Sequence, residues 1–134
     1  MSATPQLYAS LSVALGGGIG ALARYQFGRL ITYWLGPQAV MAFPFATMAV
    51  NTLGSLLMGV LAGYLTRMGG GEQARLLIGV GLLGGFTTFS AFSLEMVLLI
   101  DRGQWLLALI YLILSVALGM TGLIFGMAIA RLVG

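Results

Sequence analysis

From Leu30 to Thr66 the chain carries no charged side chain. A run of that length cannot form an ordinary water-facing surface, where charged residues make up roughly 25% of the sequence. Across the whole chain they make up 7%, against 60% hydrophobic. All 6 basic residues are arginine, and the 3 acids are Glu72, Glu95 and Asp101. They gather between long apolar runs, the pattern of an integral membrane protein in a lipid bilayer. There every backbone polar group must be satisfied within protein, so segments of ~20 apolar residues read as helices.

Four such segments fit, at about 7–31, 45–65, 74–100 and 104–132, and the expectation is an all-α integral membrane protein with one transmembrane domain over residues 1–134. Gly36, Pro37 and Pro44 interrupt the uncharged run. Proline lacks an N–H and restricts the residue before it, so a loop is expected over Gly36–Pro44. Thr66–Arg75 reads as the second loop and Asp101–Gln104 as a tight third turn. The N-terminal apolar stretch has no basic segment before it and reads as the first span rather than a cleaved leader.

Cysteine and histidine are both absent. That removes disulfides, the usual zinc and haem ligands and the commonest general base, so no enzyme is expected. The arginines form no cluster that would suit nucleic acid. Counted by face, Arg67, Arg75 and Arg131 fall on one side and Arg24, Arg29 and Arg102 on the other. An arginine excess normally sets orientation. With none, insertion both ways up is expected, and two oppositely inserted copies would pair about a two-fold axis in the membrane plane. Four helices leave little room for a pore, so transport would need an oligomer. Small residues four apart, which let helices approach closely, recur at Gly16/Gly20, Ser55/Gly59/Gly63, Ser115/Gly119 and Gly122/Gly126.

The third span holds the densest chemistry, "LLGGFTTFSAFS" from Leu82 to Ser93. Gly84 and Gly85 disfavour helix by ~1 kcal/mol each relative to alanine, and two β-branched threonines follow. Two readings stand: a local break, or an unbroken helix whose glycines pack neighbours. A break at membrane depth survives only inside protein or beside water, and its freed carbonyls are cation ligands. Phe89, Phe92 and Ser93 share one helix face. Ring edges are electropositive and can meet an anion without trapping it, although most membrane phenylalanines simply touch lipid or core. Thr47, Asn51 and Ser55 form a polar stripe on the second span. The Asn51 amide would donate to an anion or bond a neighbouring helix. Ser115 and Thr121 lie six apart, off a common face, with hydroxyls that can bond the backbone one turn back. Arg24 would snorkel to the interface or line an anion-attracting vestibule. Glu95 would mark an ion or proton route or pair near the interface with Asp101 and Arg102.

"GGGIGALARY" (16–25), "FPFATMAVNTLGSLLMG" (43–59) and "GLLGGFTTFSAFSLE" (81–95) together resemble the signature stretches of the Fluc/CrcB fluoride channels, and the likeness runs the length of the chain. The resemblance implies an antiparallel, dual-topology homodimer in a bacterial inner membrane. It would export fluoride passively through two pores, with the third span broken. It implies a central structural sodium ion, Na+, held by the carbonyls of Gly84 and Thr87 from both chains. It places Phe89, Phe92 and Asn51 on the fluoride path, Arg24 near a vestibule and Thr121 as a further polar position; Ser93 and Thr47, from the faces read above, complete the candidates for that path. Phe45 stands after Pro44 where family members commonly have glycine. Ile113 and Ala117 stand where some carry hydroxyls. A small dual-topology multidrug or proton antiporter is the main alternative, but the first span lacks the carboxylate such exchange needs. A non-transporting assembly subunit is the other.

Overall fold

The computed structural model describes residues 3–133, and among these there is helix and no strand. The helices are α1 (Ala3–Leu35), α2 (Pro37–Ala42), α3 (Phe45–Met68), α4 (Glu72–Ala74), a π-helical stretch (Arg75–Leu83), α5 (Gly84–Phe86), α6 (Phe89–Asp101) and α7 (Trp105–Leu132). Four segments are long and apolar enough to cross a membrane: Thr4–Leu35, Phe45–Met68, Glu72–Asp101 and Trp105–Leu132. The chain is a multi-pass membrane protein.

Three local expectations need correction. The first helix runs on to Leu35, beyond the expected end near residue 31. The expected loop over Gly36–Pro44 contains α2, because Pro37 sits at the first turn of that helix, where its missing N–H costs nothing. The third span is broken, but not at its glycines. Gly84 keeps helical angles (φ −63°, ψ −38°), whereas Thr87 (φ −82°, ψ 156°) and Thr88 (φ −149°, ψ 120°) are extended. Close packing on Gly17 offsets the helix penalty of Gly85, and the β-branched threonines take the strand-like conformation they favour. The wide π turns before the break were not foreseen; such turns concentrate at functional sites.

The spans pack as two close pairs. α1 lies on the π-helical stretch and α5, and α3 lies on α7. Small residues make both seams. Gly17 sets its backbone against Gly85, where a Cβ would come 2.5 Å from the Gly17 carbonyl oxygen. Gly59 meets the Leu123 backbone, and Gly126 meets that of Leu56. In lipid no hydrophobic effect drives helices together, so this backbone contact is what holds them. Arg67, in the last turn of α3, donates to the Ala130 (3.2 Å) and Arg131 (3.1 Å) carbonyls and so caps α7. Gly69 ends α3 in the left-handed region (φ 77°), which a glycine enters without strain.

Few side chains are fully buried. One cluster, Phe43, Leu99, Ala108 and Tyr111, lies where α2, α6 and α7 converge. Large apolar residues, such as Leu15, Ile19, Leu22, Phe89, Ile113 and Ile124, stay exposed on the single chain. A surface of that kind is stable only against lipid or another apolar surface.

Candidate functional site

The break at Thr87–Thr88 is held by side chains from two other spans. Asn51 reaches from the middle of α3 and grips Thr88 twice: its Oδ1 accepts from the Thr88 N–H at 2.8 Å, and its Nδ2 donates to the Thr88 carbonyl at 3.0 Å. From α1, Arg24 Nε donates to the Gly85 carbonyl at 3.1 Å. Thr88 Oγ1 then accepts from the Ala91 N–H at 3.2 Å and caps α6. Arg24 is thus tied to the break rather than extended to the interface. Asn51 makes the interhelical bonds that were one of its two readings, and one Nδ2 hydrogen is left over for another acceptor.

Beside the break lies a cavity of about 340 Å³, lined by Asn51, Ser55, Thr88, Phe89, Phe92 and Ser115 among others. The Phe89 and Phe92 rings sit 5.8 Å apart, as their shared helix face requires. Ser115 Oγ is buried with no hydrogen-bond partner. Its expected bond one turn back is not made, which leaves an unpartnered hydroxyl in the wall of the cavity. Ser93 donates to the Phe89 carbonyl at 2.9 Å, which spends its hydroxyl hydrogen on backbone. Thr121 lines a different, apolar cavity with Thr52 and Phe125 and does not meet the phenylalanines within one chain.

Phe92 also packs on Tyr111 (5.0 Å between centroids), and Tyr111 on Phe43 (5.5 Å, near perpendicular). This aromatic row leads to Glu95. Its Oε1 accepts from Thr47 Oγ1 and its Oε2 from Tyr111 Oη, both at 2.6 Å. Two short hydroxyl bonds give the carboxyl polar partners within the bundle, as burial demands. The expected pairing with Asp101 and Arg102 is not formed. Arg102 instead donates to the Met41 carbonyl at 3.1 Å and closes the end of α2. Thr47, Glu95 and Arg102 do border one small cavity of about 140 Å³. Its wall residue Ala46 also lines a wider cleft with Arg24, Arg29 and Thr32. The small cavity by Glu95 and the cleft with the two arginines thus share the Ala46 wall.

Tyr111 is fully buried, and sequence reasoning missed it. The signal lies in the spacing: Tyr111 and Ser115 are four apart on α7 and share a face, whereas Ser115 and Thr121, six apart, do not.

The sequence profile of the CrcB-like proteins (Camphor Resistance, CrcB) matches residues 11–127. The chain belongs to the CrcB family. Its relatives within that family include proteins called fluoride-specific ion channel FluC. The one from Erythrobacter litoralis is 58% identical over 134 residues, covering 98% of each chain. Another, from Novosphingobium aromaticivorans, is 59% identical over 123 residues, covering 92% of this chain and 96% of its own. A third, from Phenylobacterium zucineum, is 49% identical over 127 residues. A CrcB protein spanning the membrane four times has its polar side chains where its helices meet, and that is where Asn51, Thr88 and Glu95 lie.

Proposed function

We propose that this CrcB protein is a passive, fluoride-selective channel that works as an antiparallel, dual-topology homodimer with two pores. The observation that carries the reading is the cavity beside the broken span, lined by Phe89, Phe92, Asn51 and Ser115, whose hydroxyl is unpartnered. Fluoride is small and tightly hydrated, so dehydrating it requires several close donors. The free Ser115 hydroxyl and the remaining Asn51 N–H supply two, and ring edges add weak attraction without a full positive charge. An ion must be held and also released, and a site without a fixed cation on the path meets that need. Arg24 and Arg29 raise the local anion concentration at the cleft.

The even split of arginines supports dual insertion. The exposure of Phe89 and Gly84 on the single chain supports a partner that completes the site. The residues at the break also fit a central sodium ion. In an unbroken helix the Gly84 carbonyl would accept from the Thr88 N–H and the Thr87 carbonyl from the Ala91 N–H. Both donors are diverted, to Asn51 and to Thr88 Oγ1. Gly84 and Thr87 would hold the ion with their counterparts in the second copy. Bound there, it would supply a positive centre that offsets anion burial.

The test is efflux from liposomes followed with a fluoride electrode, run beside chloride. Rapid fluoride release with little chloride release is expected; silence at both ions would point to a non-transporting subunit. Glu95→Gln separates a channel from a proton antiporter. Glutamine can still accept from one hydroxyl, and exchanging a charge-assisted for a neutral bond costs ~1–1.5 kcal/mol. Fluoride flux should therefore stay within about tenfold of wild type. Complete loss in a folded Glu95→Gln dimer, together with proton-driven exchange by the wild type, would favour the antiporter.

A further inference from the structure

We propose that Asn51 and Thr88 are positioning residues: their side chains hold the third span open and so set free the Gly84 and Thr87 carbonyls as cation ligands. The inference rests on the sodium reading above and adds what creates that site. The glycines do not create it, since Gly84 stays helical. Nor is a second copy needed to form the break, because all its bonds lie within one chain.

Two substitutions of partner account for the opening. At the first, the Thr88 N–H turns away from the Gly84 carbonyl and bonds Asn51 Oδ1 at 2.8 Å. The Asn51 Nδ2 bond to the Thr88 carbonyl, at 3.0 Å, fixes the amide so that its oxygen stays aimed at that N–H. At the second, the Ala91 N–H bonds Thr88 Oγ1 at 3.2 Å and leaves the Thr87 carbonyl without its helical donor. Of the two carbonyls between them, that of Gly85 already accepts from Arg24. Each candidate ligand therefore has its own releasing side chain, one on α3 and one on the break itself. A buried carbonyl without a donor is costly, so cation binding at the freed pair is coupled to these bonds.

The variants follow from the separate atoms. Asn51→Leu removes the acceptor and lets the Thr88 N–H return to the Gly84 carbonyl. Thr88→Ala removes the cap and lets the Ala91 N–H return to Thr87. Thr88→Ser keeps the cap. The measurement is the sodium concentration at the midpoint of thermal stabilisation of purified protein, with N-methylglucamine as the replacing cation. Fluoride efflux is read in parallel.

The wild type should be stabilised by sodium. Asn51→Leu and Thr88→Ala should need at least tenfold more sodium, and Thr88→Ser should match the wild type. A role for Asn51 only as an anion donor predicts no change of sodium midpoint in any variant. If Asn51→Leu does not fold, Thr88→Ala against Thr88→Ser decides alone. Wild-type stabilisation with equal midpoints in Thr88→Ala and Thr88→Ser would overturn the inference and leave the sodium reading intact. No sodium response in the wild type would overturn both.

Discussion

Replacing Phe92 by isoleucine is expected to lower fluoride flux by at least tenfold. Isoleucine fills much of the volume but has no electropositive edge. A ring contact worth ~1–1.5 kcal/mol, the size of an aromatic pair, corresponds at the barrier to about tenfold in rate. Phe92 also touches Tyr111 at 5.0 Å, so its loss disturbs the hydroxyl that Glu95 depends on, and the effect should exceed that minimum. Some of the loss would come from packing, since Phe92 borders the buried cluster around Tyr111. Phe89→Ile is the control for that. Phe89 is 78% exposed on the single chain, so replacing it costs the chain's own core little, and a drop in flux there cannot be charged to unfolding. Unchanged fluoride efflux in both variants would remove the rings from the mechanism.

The largest loss of stability is expected from Gly126→Val. Gly126 lies against the Leu56 backbone, and an added Cβ would also come within 2.8 Å of the Val60 nitrogen. Both obstacles are main chain and cannot rotate away. Either α3 and α7 separate along the seam or the helices bend, and overpacking of this kind costs about 3 kcal/mol or more. Separation would also move Asn51 and Ser115, which sit on those two helices, so flux should fall with stability. Thermal unfolding in detergent, followed by circular dichroism, reads the effect. Gly18→Ala is the comparison, because a Cβ there meets nothing within 4 Å, and it should leave stability unchanged or raise it by up to ~1 kcal/mol, alanine's advantage over glycine inside a helix. Equal melting of Gly126→Val and the wild type would mean that the α3–α7 seam is looser than its geometry implies.

These two expectations come from different levels of the molecule. Phe89 and Phe92 were legible as a pair because spacing alone puts residues three apart on one helix face. Gly126 was legible only as one of several small residues four apart. Which helix it meets, and whether backbone or side chain faces it, depends on how four apolar helices of similar pattern choose partners. Lipid-facing and protein-facing sides differ little in hydrophobicity here, so no periodicity reports that choice. Glu95 shows the same limit. Along the chain its nearest charged neighbours are Asp101 and Arg102. In space it meets Thr47, 48 positions away, and Tyr111, 16 away.

The linear chain by itself determined the medium and the number of crossings. Scarcity of charge and the length of the apolar runs leave a bilayer little alternative to four helices. It also determined that the third span is a weak helix, since glycines and β-branched residues adjoin there. Only the tertiary structure decided where that weakness opens. Glycines tolerate a break but do not demand one, and Gly84 stays helical. The extended residues are Thr87 and Thr88: the Thr87 N–H keeps its helical bond to Leu83, but Asn51 from α3 offers the Thr88 N–H, and the Thr88 hydroxyl offers that of Ala91, a better-placed acceptor than the helix would. A hydrogen bond across 37 positions depends on the approach of two helices, and no local propensity encodes it.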